Sequence, residues 1–295
     1  MEQDGQRASP VAALVVAHDS AAVLPACLKA LARAGVPALV VDNASADTSA
    51  EVAEGAGAQV IRNARNEGYG RANNVGARAV ESEFLLILNP DVVLEDGAAA
   101  ELVAAARRYP DAALFAPRIV EPSGRVFYHA TSLLSRHLRN PGGTLSIPEG
   151  DACAPFFSGA CFLVRRELFL RLGGFDEEIF LFYEDDDLCR RIEDAGAALV
   201  YVPSALARHV RGGSSTPAPG RVFTSRWHQA WSRAYISRKW GLPNPAPAML
   251  ALNAPKAAAA SLSVRRDLVE RYAGSAAGAL AFLRGRTALG RENLS

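Results

Sequence analysis

The sequence is poor in cysteine, in net charge and in long apolar runs. Its 295 residues include only Cys27, Cys153, Cys161 and Cys189, whose spacing matches no paired metal-binding motif. We therefore expect reduced thiols and a cytoplasmic chain, because the polar N-terminus at 1–10, which we expect to be flexible, carries no apolar signal segment. The formal net charge of +1 predicts no nucleic-acid partner.

Other absences disfavour whole classes of function. No run reaches the roughly 18 to 20 uncharged apolar residues that a membrane-spanning helix needs. The stretch that comes nearest to this length, 246–264, is interrupted by Asn253, Pro255 and Lys256. The first strand–helix turn, Ala17 to Ser20, lacks a glycine-rich dinucleotide fingerprint, which disfavours an oxidoreductase. Sugar-nucleotide synthesis is disfavoured because the chain lacks the Gly-rich, Lys-containing N-terminal loop expected for it.

What the first half does contain is an alternation of short apolar strands and amphipathic helical patterns. Repeated strand–helix units predict an α/β fold with a mainly parallel, Rossmann-like sheet and helices on both faces. Ligands bind such sheets at the carboxyl ends of the strands. The predicted strands cover 11–17, 38–41, 59–62 and 84–88.

Beyond residue 112 the pattern becomes irregular. We expect long loops at 118–150 and 212–220, and after residue 221 the patterns are helical. The predicted organisation is a flexible N-terminus at 1–10, a catalytic domain at 11–220 with halves at about 11–110 and 111–220, and a helical C-terminal region at 221–295.

Four consecutive acids, Glu184 to Asp187, follow the apolar segment 179–182. Adjacent carboxylates repel one another and are costly to bury without compensation. Such a run is expected in a solvated loop, at a cation site or where one carboxylate is a catalytic base. The apolar residues that precede it disfavour a solvated loop. Asp186 and Asp187 alone also suit a helix start, where the macrodipole favours acids.

Polar residues also close two predicted strands. Asp42 and Asn43 follow one strand, where a carboxylate either accepts hydrogen bonds from a base or ribose or belongs to an ordinary capping turn with Ser45 as helix N-cap. Asn89 and Asp91 end another strand, and they either face a divalent cation or form a strand-ending turn.

A glycine-containing loop and a late histidine complete the candidates. Gly68, in the loop 66–74, lets backbone approach a ligand, and Arg71 has the reach to contact phosphate, although this loop alone is a weak signal. His209 ends a predicted strand, where it is either a second cation contact or a structural residue.

Taken in order, these segments resemble family 2 glycosyltransferases, and most closely the rhamnosyltransferase-like branch. The similarity covers about 11–216 and leaves out the C-terminal helices. The motifs are Val41-Asp42-Asn43-Ala44-Ser45, Asn66-x-Gly68-Tyr69-Gly70-x-x-Asn73-Asn74, Leu88-Asn89-Pro90-Asp91-Val92, Phe157-Ser158-Gly159-Ala160-Cys161-Phe162, Gly173-Gly174-Phe175-Asp176-Glu177, Tyr183-Glu184-Asp185-x-Asp187-Leu188-x-x-Arg191 and His209-x-x-Gly212-x-Ser214.

The resemblance implies a GT-A fold with a mixed sheet and an inverting sugar transfer assisted by Mg²⁺ or Mn²⁺. The implied partners are a nucleoside-diphosphate sugar donor, such as deoxythymidine-diphosphate rhamnose, and a glycan or lipid-linked glycan acceptor in cell-surface polysaccharide synthesis. The alternative is a catalytically silent sugar-nucleotide-binding protein.

The resemblance also implies roles for individual residues. Asp185 matches the general base, with Glu184 the next candidate, while Asp91 and His209 match metal ligands. The usual D-x-D motif has Asn89 as its first member here, which leaves one carboxylate fewer. The implied donor-binding residues are Ala17, Asp19, Asp42, Asn43, Asn66, Gly68, Arg71, Asn74, Asn89 and Asp91, and those on the acceptor side are Ser158, Gly159, Glu184 and Asp185.

The C-terminal helices combine small apolar residues with an excess of basic ones. They either lie on an anionic membrane, at its inner face, or pack on the catalytic domain or on a second copy as a homodimer. The basic residues are Lys256, Arg265, Arg266, Arg271, Arg284, Arg286 and Arg291, against Asp267, Glu270 and Glu292.

Overall fold

The structure, a computed structural model, describes residues 9–128, 132–135, 146–210, 220–262 and 265–289. The predicted flexible N-terminus is outside the described residues up to position 8. Nearly all of the predicted loop at 212–220 and the charged residues Arg291 and Glu292 are outside them as well.

Ten strands among the described residues form one sheet. They are β1 Val11–Ala17, β2 Ala38–Asp42, β3 Gln59–Arg62, β4 Phe84–Leu88, β5 Val92–Leu94, β6 Ala112–Val120, β7 Val126–Phe127, β8 Ala152–Cys153, β9 Cys161–Arg165 and β10 Ala198–His209. The main order is β3-β2-β1-β4-β9-β6-β10-β5, with β7 beside β6 and β8 beside β10. The expected mixed sheet is confirmed.

Parallel pairing is concentrated in the first half of the chain. Strands β3, β2, β1 and β4 pair in parallel, as the strand–helix alternation predicts. Strand β9 lies antiparallel between β4 and β6, whereas β6 and β10 are again parallel. The carboxyl ends of these parallel strands therefore lie at the same edge of the sheet, and the polar residues that follow the strands lie at that edge.

Helices cover both faces of this sheet. The described helices are α1 Leu24–Arg33, α2 Ser49–Gly55, α3 Tyr69–Ala79, α4 Ala98–Arg108, α5 Arg166–Arg171, α6 Glu184–Asp194, α7 Arg221–Lys239, α8 Ala246–Leu262 and α9 Arg266–Leu283. Val15 of β1 packs in one core with α1 and α4, and its neighbour Leu14 packs in the opposite core with α3, α5 and α6. This alternation follows from the two-residue period of a strand.

Two helix starts differ from the sequence expectation. Helix α6 begins at Glu184, so all four acids, and not Asp186 and Asp187 alone, occupy its first turn, where the helix macrodipole favours them. Ser45 is not an N-cap, because α2 begins only at Ser49. The Ser45 hydroxyl instead accepts a hydrogen bond from the backbone N–H of Asp19 (3.0 Å).

The C-terminal helices form a layer in which α9 packs against both α7 and α8. Gly274 and Gly278 permit this approach, because a Cβ at either position would overlap the backbone carbonyl of Phe223 or of Trp227 in α7. No helix in the described part of the chain is long and apolar enough to cross a bilayer.

Helix α7 is joined to the sheet domain by hydrogen bonds and ion pairs across residue 220. Ser232 Oγ donates to the Leu181 carbonyl (2.9 Å), and Lys239 Nζ lies 2.6 Å from an Asp176 carboxylate oxygen. The indole N–H of Trp240 donates to Asp187 Oδ1 (3.0 Å). The domain boundary at 220 stays a prediction, and the contacts that cross it bind the start of the helical region to the sheet domain.

Candidate active site

A pocket of about 560 Å³ lies between the sheet edge and the acidic run. Its walls include Tyr69, Asn89, Gly159, Asp185 and Gln229. A larger depression of about 860 Å³, near the beginning of β1, is lined by small apolar residues and by no titratable side chain. Because acid–base and ligand chemistry needs polar groups, we assign function to the smaller pocket.

Hydrogen bonds fix Asp185 at the pocket wall. Its Oδ2 accepts from the backbone N–H of Gly159 (2.9 Å), and its Oδ1 accepts from the N–H of Asp186 (3.0 Å). The Tyr69 hydroxyl donates to the Gly159 carbonyl (2.7 Å), so α3 also holds this loop. The predicted acceptor-side residues Ser158, Gly159, Glu184 and Asp185 therefore meet at one wall.

Burial raises the pKa of three carboxyls in this run. It raises the pKa of Asp185, although the hydrogen bond from Gly159 opposes the rise. The pKa of Glu184 is well above its usual range because of burial and then the charge of Asp185. The same two causes raise the pKa of Asp186 to about 7. Like-charge repulsion, the expected cause at Asp185, contributes at Glu184 and Asp186, whereas burial dominates at all three.

The fourth acid of the run has a different role. Asp187 is fully buried, but its carboxylate lies 2.7 Å from Arg191 and 2.7 Å from Lys239, and it accepts from Trp240. The pair with Arg191 joins two residues one helical turn apart. This carboxylate is neutralised by protein cations, and it joins α6 to the end of α7.

The turn that leads to the acids has an unusual backbone. Phe182 and Tyr183 both adopt left-handed conformations with φ of 70°, which cost about 1–3 kcal/mol each for residues with a side chain. The backbone N–H of Tyr69 donates to the Phe180 carbonyl (3.0 Å), and a Cβ at Gly68 would overlap that carbonyl. The lack of a side chain at Gly68 therefore allows the backbone before α3 to contact this turn closely.

Asp91 and His209 meet at the edge of the sheet because β5 and β10 pair antiparallel. Asp91 Oδ1 is 3.2 Å from His209 Nε2, both side chains are buried, and Asp91 Oδ1 and His209 Nδ1 make no hydrogen bond. Within the described residues no group of three His, Cys, Asp or Glu side chains surrounds a cation position. These two side chains fit a sparse cation site that a ligand's oxygens would complete.

On the donor side, Asp42 differs from its neighbours. Its carboxylate is buried at the end of β2, and Oδ1 has no hydrogen-bond partner, so this acceptor is open to a ligand. Asn43 is instead fully engaged, since it donates to Asn66 (2.8 Å) and accepts from Asn63 (2.9 Å) and the Glu67 N–H (3.0 Å). Asn43 and Asn66 thus build the loop next to Asp42.

Asp19 and Ala17 shape the adjoining turn at the end of β1. Asp19 Oδ1 accepts from the backbone N–H of Ala46 (2.7 Å), and Ala17 is completely buried as the last residue of β1. Both therefore position the strand-end loops, and neither supplies an open polar side-chain atom to the pocket.

Arg71 and Asn74 contact the segment 173–177. The Arg71 Nε–H donates to the Glu177 carbonyl (2.7 Å), and the expected phosphate contact of this side chain stays a prediction. The buried Asn74 donates to the Phe175 carbonyl (2.9 Å) and accepts from its N–H (2.8 Å). Both side chains therefore connect α3 to the segment 173–177.

Sequence reasoning misses Gln229, which α7 contributes to the pocket wall. Nothing in the local pattern marks this residue, since its position depends on how α7 docks. Tyr69 is part of a quoted motif, yet its hydrogen bond to Gly159 depends on a contact 90 positions apart in the chain.

In sequence, the chain is similar to known glycosyltransferases. A model described as Glycosyl transferase family 2 matches residues 13–173. An N-acetylglucosaminyl-diphospho-decaprenol L-rhamnosyltransferase of Mycobacterium tuberculosis is 31% identical over 246 residues, which cover 70% of this chain and 80% of that protein. The rhamnosyltransferase WbbL of Escherichia coli is 28% identical over 195 residues, covering 60% of this chain and 73% of that protein.

In fold, the chain is similar to a mannosyltransferase of Pyrobaculum calidifontis whose structure holds GDP-Man and Mn²⁺. The TM-score is 0.56 over 94% of this chain and 88% of that one, at 16% identity. The family match ends at residue 173, so Asp185 and His209 lie beyond it. Their roles stay predictions that depend on the geometry.

The raised pKa of Asp186 predicts a pH-dependent stability. Because this pKa is about 7 in the folded chain and 3.8 for an ordinary Asp, the stability that the protonated form contributes is lost as the pH rises through about 7. We expect Asp186→Asn, which stays neutral, to raise the urea midpoint more at about pH 8 than at about pH 5. Asp96→Asn, at a side chain that is 85% exposed, is the control and should shift the midpoint equally at both. Equal shifts for Asp186→Asn would contradict the assignment.

Proposed function

We propose a rhamnosyl-transfer reaction for this chain, which belongs to glycosyl transferase family 2 and is a glycosyltransferase of the GT-A fold. The donor is a nucleoside-diphosphate rhamnose, and the acceptor is a sugar hydroxyl of a lipid-linked glycan. The observation that carries the proposal is the partly buried Asp185 carboxylate, which two backbone N–H groups hold on the wall of a pocket that also includes Asn89, at the end of β4.

Asp185 is the base in this reaction. Its carboxylate takes the proton of the acceptor hydroxyl while the hydroxyl oxygen bonds to the anomeric carbon, and the bond from that carbon to the diphosphate oxygen breaks. Attack from the face opposite the diphosphate inverts the configuration. A pKa raised by burial makes Asp185 a stronger base than an exposed aspartate, and the Gly159 and Asp186 N–H groups hold it in place.

Asp42 and Asp91 lie on the donor side. The open oxygen of Asp42 is suited to a base N–H or a ribose hydroxyl, while Asn43 and Asn66 hold the loop around it. Asp91 and His209 would hold Mg²⁺ or Mn²⁺, since each has a buried polar atom without a hydrogen bond. When bound, such an ion supplies positive charge for the departing diphosphate.

The sugar and the acceptor class follow from the relatives. One is named for transfer of L-rhamnose to an N-acetylglucosaminyl-diphospho lipid, and another is named a rhamnosyltransferase. A catalytically silent sugar-nucleotide-binding protein is the less favoured alternative, because both carboxylates that the reaction needs, Asp185 and Asp91, are present in the sequence.

Asp185→Asn tests the base. We expect kcat to fall by about 10²- to 10⁴-fold or more, because general-base catalysis contributes that range. Donor affinity, measured by calorimetry with the nucleotide sugar, should change little. Asp194→Asn, on the same helix and outside the pocket, is the matched control and should keep its turnover. Near-normal turnover of Asp185→Asn would transfer the role to Glu184.

Chelation tests the cation. We expect Mn²⁺ to bind weakly to the chain alone and more tightly with nucleoside diphosphate present, because only two protein side chains face the site and phosphate oxygens complete it. Titration of Mn²⁺ by electron paramagnetic resonance, with and without nucleotide, gives the two affinities. Asp91→Ala should abolish the nucleotide-dependent increase. Transfer that is undiminished after exhaustive chelation would contradict this cation site.

Helix α8 supports a peripheral membrane contact. Its outer face exposes Leu252 (61%) and Leu262 (88%) among alanines. Basic residues of α8, α9 and their flanks outnumber acids, and one of the acids, Asp267, lies 3.4 Å from Arg265. An apolar face bordered by basic residues suits an anionic bilayer, where each contributes about 1 kcal/mol. The competing occupant of this face is a second copy of the chain.

Liposome flotation tests the membrane contact. We expect the chain to float with anionic vesicles at low salt, less at high salt, and weakly when Leu252→Ser and Leu262→Ser are combined. Ile147→Ser, an exposed apolar position outside the C-terminal helices, is the control. No flotation, together with a dimer in solution that the two serine substitutions dissociate, would assign this face to a second copy instead.

A further inference from the structure

Helix α7 places a basic stripe beside the catalytic pocket. At about 100° per residue, Arg226, Gln229 and Arg233 lie within about 60° of one another on the helix surface. Gln229 forms part of the wall that contains Asp185. The adjacent face of the helix carries Ser232, whose hydroxyl holds the Leu181 carbonyl of the turn before the acids.

Arg226 is held between α9 and Gln229, a residue of the pocket wall. A side chain at Gly274 of α9 would crowd the Cβ of Arg226, so glycine at this position leaves room for the aliphatic part of the arginine. The Arg226 guanidinium donates to Gln229 Oε1 (2.8 Å). A half-buried guanidinium that bonds to a neutral amide keeps its full charge and several N–H donors available.

Arg233 lies about one helical turn after Gln229, on the same side of α7 as that residue of the pocket wall. Tyr183 belongs to the same wall; burial raises the pKa of its hydroxyl, and the positive charge of Arg233 opposes that rise. The Arg233 side chain is exposed and pairs with no carboxylate in the described part of the chain.

We propose that Arg226 and Arg233, with Gln229 between them, bind the diphosphate of a lipid-linked acceptor. This inference rests on the proposed function and deepens it. In such an acceptor the reacting hydroxyl and the diphosphate are attached to the same sugar ring, so a sugar seated at Asp185 brings its diphosphate to the nearby rim. Paired guanidinium groups suit phosphate oxygens, and they offset the repulsion that the carboxylates of α6 exert on this anion.

The test uses two acceptors that share N-acetylglucosamine. One carries the sugar on a short prenyl diphosphate, and the other is the octyl glycoside, which has no phosphate. We expect Arg226→Gln and Arg233→Gln each to lower the preference for the diphosphate acceptor, as a ratio of kcat/KM values, by about tenfold. The effect of Arg233→Gln should shrink at high salt because this side chain is exposed. Arg171→Gln, a surface arginine of α5, is the control and should keep the ratio.

A binding measurement separates this inference from the transfer reaction. Farnesyl diphosphate should bind the full chain in calorimetry, and the double variant should bind it at least tenfold more weakly. Binding that depends on both arginines, without transfer to either acceptor, would overturn the proposed function and support this site. Transfer with an unchanged acceptor preference in both variants would overturn the site and support the proposed function. An equal loss on both acceptors would assign the arginines a structural role and overturn the site too.

Discussion

The structure depends on one close backbone contact, in which the loop before α3 touches the turn before α6. Gly68 has no side chain to hold the two apart, and the Tyr69 N–H donates to the Phe180 carbonyl. This contact joins the half of the chain that carries the strand-end acids to the half that carries Asp185. Without it, the left-handed pair at 182–183 would have less to offset its conformational cost, and the carboxylate would have no fixed place relative to the strand ends.

The four neighbouring acids after this turn are tolerated because each has a different environment. The run lies in the first turn of a helix, but its members face different surroundings. Asp187 is buried against cations, Glu184 and Asp186 hold protons more tightly than usual because of burial and the neighbouring charge, and Asp185 faces the pocket with two N–H donors. One sequence pattern therefore yields a structural ion pair, two proton-retaining groups and the carboxylate that we propose as the base.

The sequence predicts the strands and helices of the first half well, since the buried strands are short continuous apolar runs and the helices between them have a helical period. It also brings Asp42, Asp91 and Asp185 to one region through the rule for strand ends and the family resemblance. It does not predict that Arg71 and Asn74 bond to the segment 173–177, because that depends on a tertiary contact about 100 residues away. Nor does it predict the contribution of α7, since helical periodicity alone does not tell which side of a helix docks.

The link between Asp187 and Lys239 has a consequence for recombining parts of related enzymes. A hybrid joined at residue 220, with its helical region taken from another protein, would keep the buried Asp187 carboxylate but would lose the amine and the Trp240 indole that neutralise it. Arg191 alone would then face that charge. A crossover point after Trp240 keeps both partners with the catalytic half, and the exchanged portion, α8 and α9, would then need glycine at the positions of Gly274 and Gly278 to pack on α7.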